Sequence, residues 1–223
     1  MKTALITGTT RGLGRDLALH LANTGYSVLG LSRSESTIEH PNYLHKNLDI
    51  RDTGPINHLI GGLECKIDLL IHNAAVFKKS PIWDYDTEEI NSIIDTNLKA
   101  PIHITKAAEH KINENGRIIF INSVAGLHNI ANQSVYCASK QGLTSFAKII
   151  GEELKVKKVK VSSIHPGGMN TSLWNEHNPY PLGDVNQALN TLDVIKAVDF
   201  IITASENMEI STLELFPTVE WHS

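Results

Sequence analysis

The chain has 223 residues, of which 41% are hydrophobic and 20% are charged, and its formal net charge is -4 at pH 7. These values are typical of one globular domain with enough core to need no disulfides. The small negative charge gives no reason to expect nucleic acid or an anionic membrane surface as a partner. No apolar run approaches the ~18 residues of a membrane span, and no signal peptide is apparent. Neither the two cysteines nor the histidines show a metal-binding spacing, so we expect no metal site. Because the cysteines also suggest no disulfide framework and no signal peptide is apparent, we expect a cytoplasmic protein.

The first element is a predicted buried strand over residues 2–7 that runs directly into a glycine-rich turn. The turn reads Thr7-Gly8-Thr9-Thr10-Arg11-Gly12-Leu13-Gly14, and a predicted helix follows it and ends near Gly25. A strand, a glycine-rich turn and a helix in this order present backbone N–H groups and a positive helix terminus to a phosphate. Three glycines also suit a tight turn without a ligand, but the flanking strand and helix favour dinucleotide binding.

The second predicted strand, Tyr26 to Leu31, ends at Ser32 and Arg33. Many NAD-binding folds have an acidic residue here to bind the ribose 2′-hydroxyl, whereas an arginine suits the 2′-phosphate of NADP. Arg11 would add a second positive charge from the glycine-rich turn. Two guanidinium groups at this place favour NADP(H) over NAD(H), and the alternative is that both arginines are solvated surface residues.

The next strands also end in residues that suit a ligand site. The predicted elements are a strand over Tyr43 to Leu48 that ends in Asp49-Ile50, a helix over Thr53 to Leu63, and a strand over Ile67 to Ile71 that ends in His72-Asn73-Ala74-Ala75. Small residues after a strand let a ligand approach the backbone closely, although they also suit tight packing.

A long helix is predicted to begin with the capping box Asp86-Thr87-Glu88-Glu89 and to end at about Ile112. Pro101 lies inside this helix and should bend it. Asn97 lies just before the proline. A side-chain amide near a helix break can bind a freed backbone carbonyl or an ordered water, so the role of Asn97 could be entirely structural.

The segment from Ser123 to Lys140 carries a proton-transfer pattern. Ser123 follows a predicted strand over Gly116 to Ile121, at the end where parallel sheets form ligand crevices. Tyr136 and Lys140 are four residues apart on a predicted helix (133–154) and therefore share one face. An ammonium beside a phenol lowers the phenol pKa from its ordinary value of about 10. Taken alone, the spacing of Tyr136 and Lys140 would also fit an ordinary helix tyrosine and an exposed lysine.

The last predicted elements complete an alternation of strands and helices. They are a strand over Val159 to Ile164 followed by Pro166, Gly167 and Thr171, a stretch without periodicity over 168–190, a helix over Leu192 to Ala204, and an apolar segment over Ile210 to Phe216. The alternation predicts a single α/β domain, a doubly wound parallel sheet of about seven strands with helices on both faces. The stretch 168–190 is expected to be a substrate-binding lid or disordered.

Taken together, these motifs resemble those of the short-chain dehydrogenase/reductase family, which has a Rossmann-type fold. The matching segments are Thr7 to Gly14, Asp49-Ile50, Asn73-Ala74-Ala75, the set Asn97, Ser123, Tyr136 and Lys140, and Pro166-Gly167 with Thr171. They occur in the family's order and span about residues 3–171.

The resemblance implies a role for each residue. Tyr136 would donate or accept the proton, Lys140 would lower its pKa and bind the nicotinamide ribose, and Ser123 would polarise the substrate oxygen. Asn97 would hold a water that links Lys140 to solvent. Asp49-Ile50 would contact adenine, and Pro166-Gly167 with Thr171 would meet the nicotinamide carboxamide. With Arg11 and Arg33, the resemblance implies an NADP(H)-dependent carbonyl reductase.

Two other functions stay open from the sequence. One is a dehydrogenase that oxidises a hydroxy acid or a sugar alcohol, and the other is a catalytically silent NADP(H)-sensing module. The resemblance also implies a homo-oligomer, and the absence of the family's C-terminal glycines favours a dimer through the helices 87–112 and 133–154 over a tetramer. The residues of the lid suit a medium-sized polar or aromatic carbonyl compound more than a long acyl chain, and the alternative is that they only cover the edge of the sheet. They are Trp174, Tyr180, Asn175, Asn178 and His177.

Overall fold

The computed structural model describes residues 1–171, 180 and 183–220 and contains one seven-stranded sheet. All neighbouring strands pair in parallel, in the order β3-β2-β1-β4-β5-β6-β7. The strands are β1 Lys2–Thr7, β2 Tyr26–Ser32, β3 Tyr43–Asn47, β4 Ile67–His72, β5 Ile112–Ile121, β6 Lys160–Pro166 and β7 Thr212–Leu215. The α-helices are α1 Gly12–Asn23, α2 Thr53–Gly61, α3 Thr87–Ile94, α4 Ala100–Ala107, α5 Ser134–Leu154 and α6 Thr191–Thr203.

The central strands are apolar throughout because both faces of the sheet are covered by helices. In β1, Ala4 and Ile6 face the layer of α1 and α6, whereas Leu5 faces the layer of α2, α4 and α5. Ile119 and Phe120 of β5 divide between the same two layers. This arrangement confirms the predicted doubly wound Rossmann fold. No helix among the described residues is long and apolar enough to cross a membrane.

The prediction of one helix from the capping box to Ile112 was wrong. The capping box is present, but α3 ends at Ile94, a π-helical turn covers Asp95–Lys99, and α4 ends at Ala107. Pro101 has no N–H to donate to the carbonyl of Asn97, so the regular ladder cannot continue through it. Strand β5 then begins at Ile112 rather than at Gly116.

The strand order reverses between β1 and β4, which makes the carboxyl ends of these two strands the expected ligand crevice. Hydrogen bonds join the two strand ends. The Thr7 hydroxyl accepts from the N–H groups of Asn73 (3.0 Å) and Ala74 (3.1 Å), and the Asn73 amide donates to the carbonyls of Thr7 (3.0 Å) and Gly8 (3.1 Å). The two segments that flank the crevice therefore form one rigid unit.

Gly14 should be the residue of the turn that tolerates substitution least. A Cβ there would overlap the Gly8 carbonyl oxygen and the Asn73 amide, both held by the hydrogen bonds just described. We expect Gly14→Ala to lower the free energy of unfolding by about 2 kcal/mol or more, as overpacking does, measured by urea denaturation. The control is Gly61→Ala, where a Cβ would meet nothing within 4 Å. Equal denaturation midpoints for the two variants would contradict this account of the turn.

Candidate active site

A cavity of about 390 Å³ lies at the carboxyl ends of the central strands. Most of the residues predicted to bind cofactor lie on its wall: Gly8, Thr10, Arg11, Gly12, Leu13, Gly14, Ser32, Arg33, Asp49, Ile50, Asn73, Ala74, Ala75, Tyr136, Lys140 and Thr171. Pro166 and Gly167, and likewise Ser123 and Asn97, are not among the residues that line the cavity. Within the described part of the chain, no group of three His, Cys, Asp or Glu side chains is arranged to hold a metal ion.

The glycine-rich turn has the features of a phosphate cradle. Its first half is anchored to β2, because Gly8 N–H donates to the Leu31 carbonyl (2.7 Å) and Thr9 N–H donates to the Ser32 hydroxyl (2.7 Å). Helix α1 then begins at Gly12 without a side-chain cap from Arg11 and without an acidic residue in its first turn. Its N-terminal N–H groups and positive dipole end lie at the cavity, so the residues present fit a dinucleotide phosphate.

Two arginines occupy the outer end of the cavity. Arg11 and Arg33 are exposed, line the wall, and form no ion pair with any other described residue. The nearby carboxylate of Asp49 is already paired, because the Arg51 guanidinium lies 2.6 Å from it and lowers the pKa of Asp49 by hydrogen bonding. This end of the cavity is therefore positively charged, and an anionic group fits it.

The predicted catalytic side chains come together at the inner end. Lys140 is only 1% exposed and donates from Nζ to the Ile121 carbonyl at the end of β5 (3.1 Å). Its ammonium lies 5.8 Å from the centre of the Tyr136 ring, one helical turn earlier. The Ser123 side chain is hydrogen-bonded to the Tyr136 phenol and also accepts from Ala125 N–H (3.2 Å). A phenol, a hydroxyl and an ammonium therefore meet at one point.

The predicted lowering of the Tyr136 pKa by Lys140 is not what the structure gives. Burial raises the pKa of Tyr136 to about 12, and the hydrogen bond from Ser123 opposes that rise only in part. Burial also lowers the pKa of Lys140 to about 8. The sequence argument counted the attraction of the ammonium and omitted the desolvation of both groups. At pH 7 the phenol is therefore neutral and most of the lysine is charged.

Asn97 acts on the backbone that borders the site. It is 1% exposed, and its side-chain amide accepts from Val76 N–H (2.8 Å) and donates to the Val76 carbonyl (2.8 Å) and the Ser139 hydroxyl (3.2 Å). The amide thus fixes the segment after β4, and both of its N–H donors are used.

Other polar residues of the site were missed or undervalued in the sequence. His165, expected to be a packing or hydrogen-bonding histidine, is fully buried and its Nδ1 lies 2.9 Å from the Ser123 carbonyl. Asn122 lines the cavity and donates to the Lys140 carbonyl (3.2 Å) and the Thr144 hydroxyl (2.9 Å). The sequence feature that could have identified Asn122 is its position between Ile121 and Ser123, directly after a buried strand.

The wall next to Tyr136 is apolar. The ring of Phe77 meets the ring of Tyr136 edge to face, with the centroids 4.8 Å apart, and Ala125, Cys137 and Ile130 pack around them. Phe77 lines the cavity together with Val76, Thr96 and Met169, none of which the sequence singled out. Trp174, Asn175, His177 and Asn178 of the predicted lid lie outside the described residues.

The geometry fits the class of nucleotide-binding oxidoreductases. Comparison with known proteins supports this class. The profile of the short chain dehydrogenase family matches residues 2–181. The 3-oxoacyl-[acyl-carrier-protein] reductase FabG of Escherichia coli K12 is 32% identical over 183 residues, covering 77% of this chain and 75% of that protein. FabG of Haemophilus influenzae is 31% identical over 220 residues, covering 90% of each chain.

Solved structures show the same relationship. Serine dehydrogenase from Escherichia coli superposes with a TM-score of 0.83 at 28% identity, covering 96% of each chain. A short chain dehydrogenase family protein from Francisella tularensis superposes with a TM-score of 0.87 at 19% identity, covering 97% of this chain and 98% of that one. The chain belongs to the short-chain dehydrogenase/reductase family and is an oxidoreductase of that family.

The buried ammonium of Lys140 should make the protein less stable than a neutral side chain would. Its pKa is about 8 in the folded chain and 10.5 when unfolded, so the unfolded state binds more protons between these values and wild-type stability rises with pH there. The shift corresponds to about 3 kcal/mol at pH 7, partly offset by the hydrogen bond to Ile121. We expect Lys140→Met to unfold at a higher free energy than wild type at pH 7, by about 1–2 kcal/mol.

This difference should shrink and change sign as the pH rises from 8 to 10, in denaturation curves measured at each pH. Lys148→Met is the matched control, because Lys148 is an exposed lysine on the same helix. A difference that does not depend on pH would show that the Lys140 ammonium is not desolvated.

Proposed function

We propose that this chain is an NADP(H)-dependent reductase that converts a carbonyl compound to a secondary alcohol. The observation that carries the proposal is the buried contact of Tyr136, Ser123 and Lys140 at the inner end of a cavity whose outer end is a phosphate cradle with two arginines. The FabG relatives, which are named as reductases, support the direction. When bound, NADPH would supply the hydride.

The side chains would divide the remaining chemistry among them. Because burial raises the pKa of Tyr136 to about 12, the phenol is protonated at neutral pH and is a proton donor for the carbonyl oxygen. The Ser123 hydroxyl would hydrogen-bond the same oxygen as negative charge develops on it. The Lys140 ammonium would stabilise the phenolate that remains after proton transfer. A deprotonated tyrosine, which oxidation of an alcohol needs, is disfavoured by the same burial.

The cavity wall suggests which carbonyl compounds fit. The edge-to-face pair of Phe77 and Tyr136, with Ile130 beside it, would pack against an apolar substituent next to the carbonyl carbon. Pro166 and Gly167 are not among the wall residues, so contact with the nicotinamide and with the carbonyl substrate beside it would come chiefly from Thr171 and Met169. We also propose a homodimer through α5 and the α3–α4 segment, a cytoplasmic location, and a substrate-binding role for residues 168–190.

Replacing Tyr136 with phenylalanine tests the catalytic assignment. Tyr136→Phe keeps the ring that packs against Phe77 and removes only the proton donor. We expect the rate of NADPH-dependent carbonyl reduction to fall by about 10²–10⁴-fold, the usual contribution of a general acid, with NADPH affinity unchanged. Tyr26→Phe, in β2 and away from the cavity wall, is the control and should keep full activity.

Substrates should be screened in both directions with wild-type protein. Activity only in alcohol oxidation would overturn the proposed direction while leaving the enzyme class intact. Turnover that survives in Tyr136→Phe would refute the assignment of the proton donor.

Titration with NADPH and NADH, followed by nucleotide fluorescence, tests the cofactor assignment. Charge-assisted hydrogen bonds from Arg11 and Arg33 to the 2′-phosphate should make NADPH bind about 10–100-fold more tightly than NADH. The double variant Arg11→Ala with Arg33→Ala should lose this preference and keep its affinity for NADH, and added salt should weaken the wild-type preference.

Arg15→Ala is the matched control, because Arg15 lies in the first turn of α1, close to Arg11 in the chain, but pairs with Asp16 and does not line the cavity. Equal affinity of the wild type for the two nucleotides would overturn the NADP(H) proposal.

A further inference from the structure

A carboxylate from the C-terminal segment lies against the backbone that follows strand β6. Residues Pro217 to Glu220 form a turn, closed by a hydrogen bond from Glu220 N–H to the Pro217 carbonyl (2.9 Å). The two carboxylate oxygens of Glu220 lie 3.2 Å and 3.1 Å from Gly168 N, and Oε1 also accepts from the Tyr180 hydroxyl (2.7 Å). These are charge-assisted hydrogen bonds, which are stronger than those between neutral groups. One side chain thus joins three distant parts of the chain.

The backbone at Gly168 leads directly to the cavity wall. Gly167 N–H donates to the Leu215 carbonyl of β7 (2.8 Å). On the other side, Leu189 N–H donates to the Gly168 carbonyl (2.9 Å), and Asn170 N–H donates to the Leu189 carbonyl (2.7 Å). Met169 and Thr171 lie on the wall in this same stretch. The position of Gly168 therefore sets the position of these two residues of the cavity wall.

The close approach of Glu220 and Tyr180 to the backbone explains why residue 168 is a glycine. A Cβ on Gly168 would overlap the Tyr180 ring and lie 2.6 Å from Glu220 Oε1. The ring cannot easily move, because Tyr180 is only 5% exposed. Burial and the neighbouring carboxylate both raise the pKa of Tyr180, so its hydroxyl remains a donor. Glycine at 168 is needed so that the carboxylate and the phenol can reach the backbone.

We propose that Glu220 is a positioning residue of the active site, whose carboxylate holds Gly168 N–H and the Tyr180 hydroxyl and so fixes the wall residues Met169 and Thr171. The residue touches neither of the reacting groups and acts through the backbone. Its effect on turnover rests on the proposed reductase function. Its effect on the backbone does not, which allows the two to be tested separately.

The backbone effect is measured by hydrogen exchange of the amides from Gly168 to Thr171 in the full chain. We expect Glu220→Ala to accelerate exchange there by about tenfold or more, because one charge-assisted bond to the Gly168 amide is lost. Glu220→Gln, which keeps one acceptor oxygen, should be intermediate, and Gly168→Ala should resemble Glu220→Ala. Glu209→Gln, at an exposed glutamate, is the control. Exchange in Glu220→Ala equal to that of the control would overturn the proposal.

The kinetic effect is measured on the carbonyl substrate found by screening. We expect Glu220→Ala to raise KM by about tenfold and to change kcat by less than about threefold, since the wall positions the substrate but does not transfer the proton. Tyr180→Phe should raise KM by a smaller factor. Adding it to Glu220→Ala should raise KM no further, because both changes remove the hydrogen bond from the Tyr180 hydroxyl to Glu220.

The outcomes separate the positioning role of Glu220 from the proposed reductase function. Faster exchange together with wild-type KM and kcat would show that Glu220 supports the backbone only, and the positioning role would be rejected. Additive effects of Glu220→Ala and Tyr180→Phe would reject the shared contact. If wild-type protein reduces no carbonyl compound with NADPH, the proposed function fails, and the exchange rates from Gly168 to Thr171 still decide whether Glu220 fixes this backbone.

Discussion

The site depends on one buried hydrogen bond, from the Lys140 ammonium to the Ile121 carbonyl at the end of β5. A desolvated ammonium is unfavourable, and the hydrogen bond that offsets part of this cost ties helix α5 to the end of β5. The Asn122 amide strengthens the same junction by donating to the Lys140 carbonyl. Because Tyr136 lies one turn before Lys140 on this helix, the junction also places the phenol beside Ser123, the next residue of the chain after Asn122. The Lys140 ammonium thus lowers stability at this point while it fixes the geometry on which the proposed proton transfer rests.

The remaining polar groups around the junction are neutral, and most bond to the backbone, although His165 Nε2 and Asn122 Oδ1 have no hydrogen-bond partner among the described residues. The His165 ring is bonded to the Ser123 carbonyl, and burial lowers the pKa of His165, which keeps the imidazole neutral. Asn97 is matched to both backbone groups of Val76. The charges of the cavity are thereby separated, with Lys140 at the inner end and Arg11 and Arg33 at the outer end. Both ends are positive, so charge alone does not orient an anionic ligand. The two ends differ instead in the helix N-terminus at the glycine-rich turn and the neutral phenol beside Lys140.

The sequence predicted the elements whose signal is local. The central strands are continuous apolar runs because both faces of the sheet are buried, and the glycine-rich turn was recognised from its own eight residues. Two predictions failed because they depend on the surroundings. Helical periodicity continues past Ala107, so it could not show that the chain leaves the helix and begins β5 at Ile112. The spacing of Tyr136 and Lys140 indicated attraction between them, but the pKa of each is set mainly by burial, which spacing does not reveal.

The two ends of the cavity differ in how far their residues lie apart in sequence, and this difference explains which end could be predicted. The phosphate cradle is built from one strand, one turn and one helix, so its residues are neighbours in the chain and form a readable motif. The substrate end is completed by contacts such as the one between Gly168 and Glu220, which are 52 residues apart. Such a contact has no local pattern, because a carboxylate in a C-terminal turn has many ordinary explanations. Long-range contacts of this kind are where a fold that keeps one cofactor site can vary without losing its local motifs.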